Sequence, residues 1–505
     1  MSSLAMMTTA VESHAGTARA ESAVPAPLSA LGRLLVAADH VRIGAAMLTA
    51  GAIWAVVAAV VGAVLGVERF DAGGALVDAG ALTQLFSLHR FALVVGVAAP
   101  LALGASVLVL PAQLHASNVS LPRLAAFGWW AWFAGSVIVF ASYLGNGGPG
   151  GGDERFVEVW LLGLGLCVVG LCAVAVSVAT TVLARRNGQR LAAVPVGAFA
   201  ALITAIGVVL TLPVALGTIV YLWVDFVNAR VAFGGADLLS SWLGWMMREP
   251  QTLIFAAPAL GALADAAVRT AKSRQPLRGV VLVGVGIVAT VVFSSVTQQA
   301  HVFALGDTPF DTLASFVPYA LFNLLPLLAP LVVILLSLLA LRAGKPALSG
   351  AFVASFLGVG MVLTGLVGSA AMHLDALGLV GTVFAEAETI YVVYGIVLGT
   401  LGAVALHAGQ ATGRALPDTP VILLSLGGFF ATVLASLPHY VAGFLDQPAA
   451  AATGYDDSGF VGIANLLVAL GHALMALVVV AFLALVVSSR RGAAVADRYA
   501  VGGAS

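Results

Sequence analysis

The sequence predicts an all-α integral membrane protein, a bundle of twelve transmembrane helices. Composition is the first reason. The 505 residues are 61% hydrophobic and only 9% charged, with a mean hydropathy of +1.07. Patterning is the second. The apolar residues gather in runs of roughly 18 or more, the length that crosses a bilayer. The third is charge placement, which alternates from one gap between runs to the next.

Taken in order, the spans fall at 43–66, 83–113, 123–145, 157–185, 194–226, 246–268, 279–304, 316–341, 350–372, 378–406, 421–443 and 460–488. Seventeen of the twenty-two Lys and Arg lie in the even-numbered gaps and the two tails. Only Arg69, Arg155, Arg230 and Arg248 lie in the odd-numbered gaps, and Arg90 lies inside a span. Positive charge collects on the cytoplasmic side, so both termini are expected there. The opposite loops are short and acidic, and GNGGPGGG at 145–152 reads as a flexible turn. Residues 1–40 are rich in Ala, Ser and Thr without a sustained apolar core. They read as a disordered cytoplasmic tail, 41–490 as the membrane domain and 491–505 as a second cytoplasmic tail.

Several function classes drop out. A net charge of −1 leaves no basic surface for nucleic acid. Cys167 and Cys172, five apart within a span, fit neither a redox pair nor a zinc site and read as buried thiols. No internal repeat supports an inverted-repeat transporter. The Ala/Gly/Val-heavy composition suits a bacterial chain in the cell membrane, with the lipid bilayer as its first partner.

Ionisable groups inside spans are costly and need partners or roles. With span direction fixed, sequence position becomes depth at about 1.5 Å per residue. His89 and Arg90 in span 2, Glu249 and Gln251 in span 6, Gln298, Gln299 and His301 in span 7, and Glu386 and Glu388 in span 10 then share one depth. That alignment predicts a single polar cluster near the outer face. A buried ion-pair network, a haem or metal site, and a watery vestibule all fit it. For the network, Arg90 is expected to pair with a span 10 carboxylate. Glu386 and Glu388 are two apart, about 200° around a helix, so only one can face it. Glu388 is the favoured partner.

The order of several motifs resembles subunit I of the haem-copper oxidases. LHR at 88–90 resembles the Leu-His of that family's second helix, and SNVSLPRL at 117–124 its following loop. VEVWLLGLGL at 157–166 resembles the fourth helix, WMMREPQTLIFAAPALG at 245–261 the sixth, and QQAHVFALG at 298–306 the seventh. LTG at 363–365 and GTVFAEAETIYVV at 381–393 fall where the family has its ninth and tenth. The resemblance runs from about residue 40 to 491 and implies the haem-copper oxidase subunit I type of twelve-helix bundle.

Residue by residue, the resemblance implies that most metal ligands are lost. His89 stands at an axial haem ligand and His301 at one copper ligand. Glu249 stands at a second copper-ligand histidine and Ala300 at a third. At the two histidines of the tenth helix this chain has Glu386 and Glu388, or Glu388 and Ile390, depending on register. Gln251, Leu253 and Asn118 replace the family's glutamate, tyrosine and proton-channel aspartate. The run at Ala449 and Ala450 replaces the propionate-binding arginines. These replacements imply one haem at most, on His89, and no binuclear haem–copper centre. Three functions stay open: a non-catalytic partner of other respiratory-complex subunits, a divergent working oxidoreductase of the oxygen or nitric oxide reductase kind, and a hard-metal site built from Glu249, His301 and Glu386 or Glu388. His439 and His472 read as hydrogen-bonded structural histidines.

Overall fold

A computed structural model describes residues 38–71, 77–230, 232–297, 301–412, 414–452 and 459–489. Of the tail read at 1–40, residues 1–37 lie outside the described residues and His40 already opens the first helix; the tail read at 491–505 also lies outside them. Among the described residues twelve helices are long and apolar enough to cross a membrane, as the sequence predicts. They are α1 (His40–Glu68), α2 (Ala79–Gln113), α3 (Pro122–Leu144), α4 (Glu154–Ala184), α5 (Val196–Val227), α6 (Gln251–Ala271), α7 (Arg278–Thr297), α8 (Pro309–Arg342), α9 (Gly350–Met372), α10 (Phe384–Thr412), α11 (Asp418–Gly443) and α12 (Phe460–Ser489). No strand interrupts them among the described residues; two isolated backbone bridges, Phe303 to Leu374 and Thr382 to Pro448, tie loops together.

Burial ranks the helices. The most apolar window of α2 is wholly buried and that of α10 is 89% buried, against 28% for α12. The helices carrying His89, Glu386 and Glu388 are therefore the centre of the bundle. Small residues let backbones meet where no hydrophobic drive separates helix from lipid. On α3, a Cβ added at Gly128 would stand 2.6 Å from the carbonyl oxygen of Gly170 on α4. One added at Gly135 would stand 2.6 Å from that of Gly163.

Among the described residues two helices contain π turns, Ala92–Ala98 in α2 and Ala320–Leu324 in α8. Such turns leave a carbonyl without its usual partner and mark functional sites in many proteins. In α2 the Val95 carbonyl accepts from the Trp132 indole at 3.0 Å.

Some boundaries differ from the sequence reading. The apolar pattern carries span 7 to 304; α7 is described to Thr297, Gln298, Gln299 and Ala300 lie outside the described residues, and His301 has φ of 47°. A left-handed residue with a side chain does not continue an α-helix. The pattern starts span 10 at 378, but Gly381 adopts φ of 89° and α10 begins at Phe384. The 145–152 turn is held, not loose. Buried Gln84 donates to the Pro149 carbonyl at 3.2 Å and accepts from Gly148 N at 2.7 Å. Both cysteines are free thiols as read, Cys167 buried but Cys172 only half-buried.

Candidate functional site

α2 and α10 present their polar residues at the bundle end that carries few cations. There the structure brings His89, Arg90, Glu249, His301, Glu386 and Glu388 to the wall of one cavity of about 540 Å³. Both π turns contribute to it, through Leu93 and through Phe322 and Asn323.

Charge pairing in this region differs from the expected pattern. Glu386 pairs with Arg69, the residue that follows α1. The pair is bidentate, with Nη1 to Oε2 and Nη2 to Oε1 both 2.8 Å. Arg69 also donates through Nε to the Ala451 carbonyl at 2.9 Å, and its guanidinium lies 4.6 Å from the centre of the Phe86 ring. Glu386 Oε1 further accepts from Ala450 N at 3.1 Å. Asn465 of α12 donates to the Arg69 carbonyl at 3.0 Å. The guanidinium and carboxylate thus gain the geometry and extra hydrogen bonds that a buried pair needs.

Arg90 forms no ion pair with a described residue, so the expected Arg90–Glu388 pair is not present. The reason is geometric. Arg69 takes Glu386, and Glu388 lies about 200° further round α10. Glu388 instead faces the cavity, 3% exposed, with Oε2 unpartnered. Arg90 is half-buried on the same cavity, near Arg248. Replacing Arg90 with Met is therefore expected to change stability by less than about 1 kcal/mol. Thermal unfolding in detergent checks this; a loss of about 3 kcal/mol would restore the pair.

His89 is 8% exposed and its Nε2 has no hydrogen-bond partner. Its ring meets that of His472 edge to face at 5.3 Å, and His472 Nδ1 shares a 2.7 Å hydrogen bond with the Tyr394 hydroxyl. The expected hydrogen bond of His472 is therefore found. His439 differs: both of its buried ring nitrogens are unpartnered.

Glu249 is 8% exposed and neither carboxylate oxygen has a partner. Gln251, fully buried, donates to Thr211 at 2.9 Å and accepts from Ser295 at 2.6 Å, so it fastens α6 to α5 and α7. His301 stacks on Phe322 with ring centres 4.4 Å apart and leaves Nε2 unpartnered. It and His373, whose Nδ1 lies 2.8 Å from the Ser369 carbonyl, stand beyond the helix ends. Burial pushes both imidazoles below their usual range.

His89 could offer one axial bond to a haem iron, and His301 and Glu249 could each offer one bond to a metal. Among the described residues no three His, Cys, Asp or Glu side chains converge as a metal-binding group. Sequence reasoning missed Arg69, Tyr394 and Asn465. Arg69 had one legible signal: it is among the few cations in an acidic, cation-poor set of loops.

Fold and site define a polytopic helical membrane protein with a polar cavity buried near one end. Residues 42–487 match the family described as cytochrome c and quinol oxidase polypeptide I, and the chain belongs to that family. Its relatives include a probable cytochrome c oxidase subunit 1-beta of Nocardia farcinica, 29% identical over 46% of this chain and 43% of that one. The cytochrome c oxidase subunit 1 of Corynebacterium diphtheriae is 24% identical over 56% of this chain and 54% of that one. The quinol oxidase subunit 1 of Bacillus spizizenii is 23% identical over 54% and 44%. The chain spans about half the length of the curated relatives it matches. A heme-copper terminal oxidase dimer solved by cryo-EM has the same fold, with a TM-score of 0.67 at 16% identity over 90% of this chain and 86% of that one.

Proposed function

We propose that this chain is a subunit I relative that does not reduce oxygen by the family mechanism and acts as a structural or assembly partner in a bacterial respiratory complex. The observation that carries the reading is the use made of Glu386. In one register it stands at a family histidine ligand, yet both its oxygens are committed to Arg69. The residues present do not fit the family's two haems and copper. His89 can supply one axial bond, but a low-spin haem takes two strong ligands. Glu249 is a hard oxygen donor where a soft Cu(I) ion wants imidazole.

Two further replacements agree. Asn118, at the channel aspartate, cannot ionise, and its amide is spent on structure. It donates to the Ala38 carbonyl at 3.0 Å and accepts from His40 N at 3.2 Å, tying the α2–α3 loop to the start of α1. The 449–450 segment, where arginines would hold propionates, meets Glu386 through the Ala450 backbone N–H. The positive-inside charge pattern supports a plasma-membrane protein with both termini cytoplasmic.

The test is the visible spectrum, pyridine haemochrome and metal content of the purified protein. The expected result is neither two haems per chain nor stoichiometric copper; finding both would refute the proposal. A second reading has one specific support: the buried, unpartnered Nε2 of His89 suits a single haem. A Soret band lost in His89→Ala would favour it.

A further inference from the structure

The cavity segregates its charges. Three buried residues from separate parts of the chain line it and carry polar atoms with no hydrogen-bond partner. Glu249 contributes both carboxylate oxygens, Glu388 its Oε2 and His89 its Nε2, and these residues are 8%, 3% and 8% exposed. Each such atom costs about 1–3 kcal/mol if nothing meets it, more when charged. Together they call for a donor, and two carboxylates call for a positive one. The mouth has the opposite sign. Arg248 is exposed and Arg90 half-buried; both line the cavity and neither has an ion-pair partner among the described residues.

A bare cation would have to pass two guanidinium groups. A bare anion would meet two carboxylates at the floor. A metal ion finds no three converging ligands among the described residues. A molecule carrying both charges at opposite ends meets neither obstacle. Apolar walls from Phe86, Trp160, Trp245 and Leu253 suit a methylene spacer, and about 540 Å³ admits a small organic molecule.

Beyond its structural role, we propose that the cavity binds a small zwitterion of the amino-acid class, with the ammonium on Glu249 and Glu388 and the carboxylate toward Arg248 and Arg90. The full chain in detergent would be titrated calorimetrically with glycine, β-alanine, 4-aminobutyrate and 6-aminohexanoate. Ethylamine, propionate and Mn(II) serve as single-charge comparisons. At least one zwitterion should saturate a single site, tighter than all three comparisons. Glu388→Gln should weaken it about thirtyfold or more, the effect of truncating one buried charged partner. Arg248→Gln, at an exposed position that leaves folding intact, should weaken it about fivefold. The proposal is overturned if no zwitterion saturates, if a single-charge compound binds as tightly, or if Arg248→Gln changes nothing. The spectrum of the same preparation reports separately on haem.

Discussion

Replacing Arg69 with Met is expected to cost about 3–5 kcal/mol, because Glu386 is left buried and charged without a partner. The loss should exceed that of any other single charge removal in this chain. Arg69 is 1% exposed and makes two bonds to Glu386 and one to the Ala451 carbonyl. Adding Glu386→Gln to Arg69→Met should restore part of the loss, since an amide is cheaper to bury than a lone carboxylate. Thermal unfolding in detergent of the wild type, both single variants and the double variant gives the coupling. Simple addition of the two losses would show that the pair contributes nothing specific. Arg90→Met, run beside them, separates this arginine from the one the sequence favoured.

The second large effect is steric. Gly170→Leu should prevent α3 and α4 from closing, because a Cβ at Gly170 already stands 2.6 Å from the Gly128 carbonyl oxygen. Backbone cannot swing aside as a side chain can, so the expected loss is at least about 3 kcal/mol, at or above the upper end for overpacking. Gly165→Ala on the same helix is the control. Its nearest neighbour would be the Ile219 side chain at 3.6 Å, an ordinary contact, and the expected change is within about 0.5 kcal/mol. Size-exclusion profiles of the detergent-solubilised variants would show Gly170→Leu aggregated and Gly165→Ala unchanged. Equal behaviour would mean that the two helices are not in contact there.

The twelve helices are legible because a membrane span advertises itself: a bilayer's thickness demands about 20 apolar residues in a row. The cavity residues are legible for the converse reason. His89, Glu249 and Glu388 stand out against apolar neighbours, and helical rise converts their positions to depth. Rotation about each helix axis is what depth does not supply. Glu386 and Glu388 differ little in height but face different ways, so the choice between them as a partner for arginine required the packed bundle. Arg69 is hidden by its place just beyond a span, where a cation reads as a solvated flank. Its burial comes from loops at 447–452 and from Asn465, hundreds of residues downstream. Tyr394 escapes notice because an aromatic residue in a span is ordinary; its meaning lies in His472, 78 positions away.

The Arg69–Glu386 pair also constrains how the protein is made. Its two members are separated by 317 residues. A ribosome adding about 5–20 residues per second needs some 15–60 s to travel that far. Through that interval the first helix is in the membrane while its arginine lacks Glu386. The charge must wait at the membrane–water boundary, where a flexible side chain can reach solvent. Only when the tenth helix arrives can the guanidinium be drawn under the loop. The last loop of the chain then closes over a contact begun by the first helix, so the bundle is sealed late, from its cation-poor end.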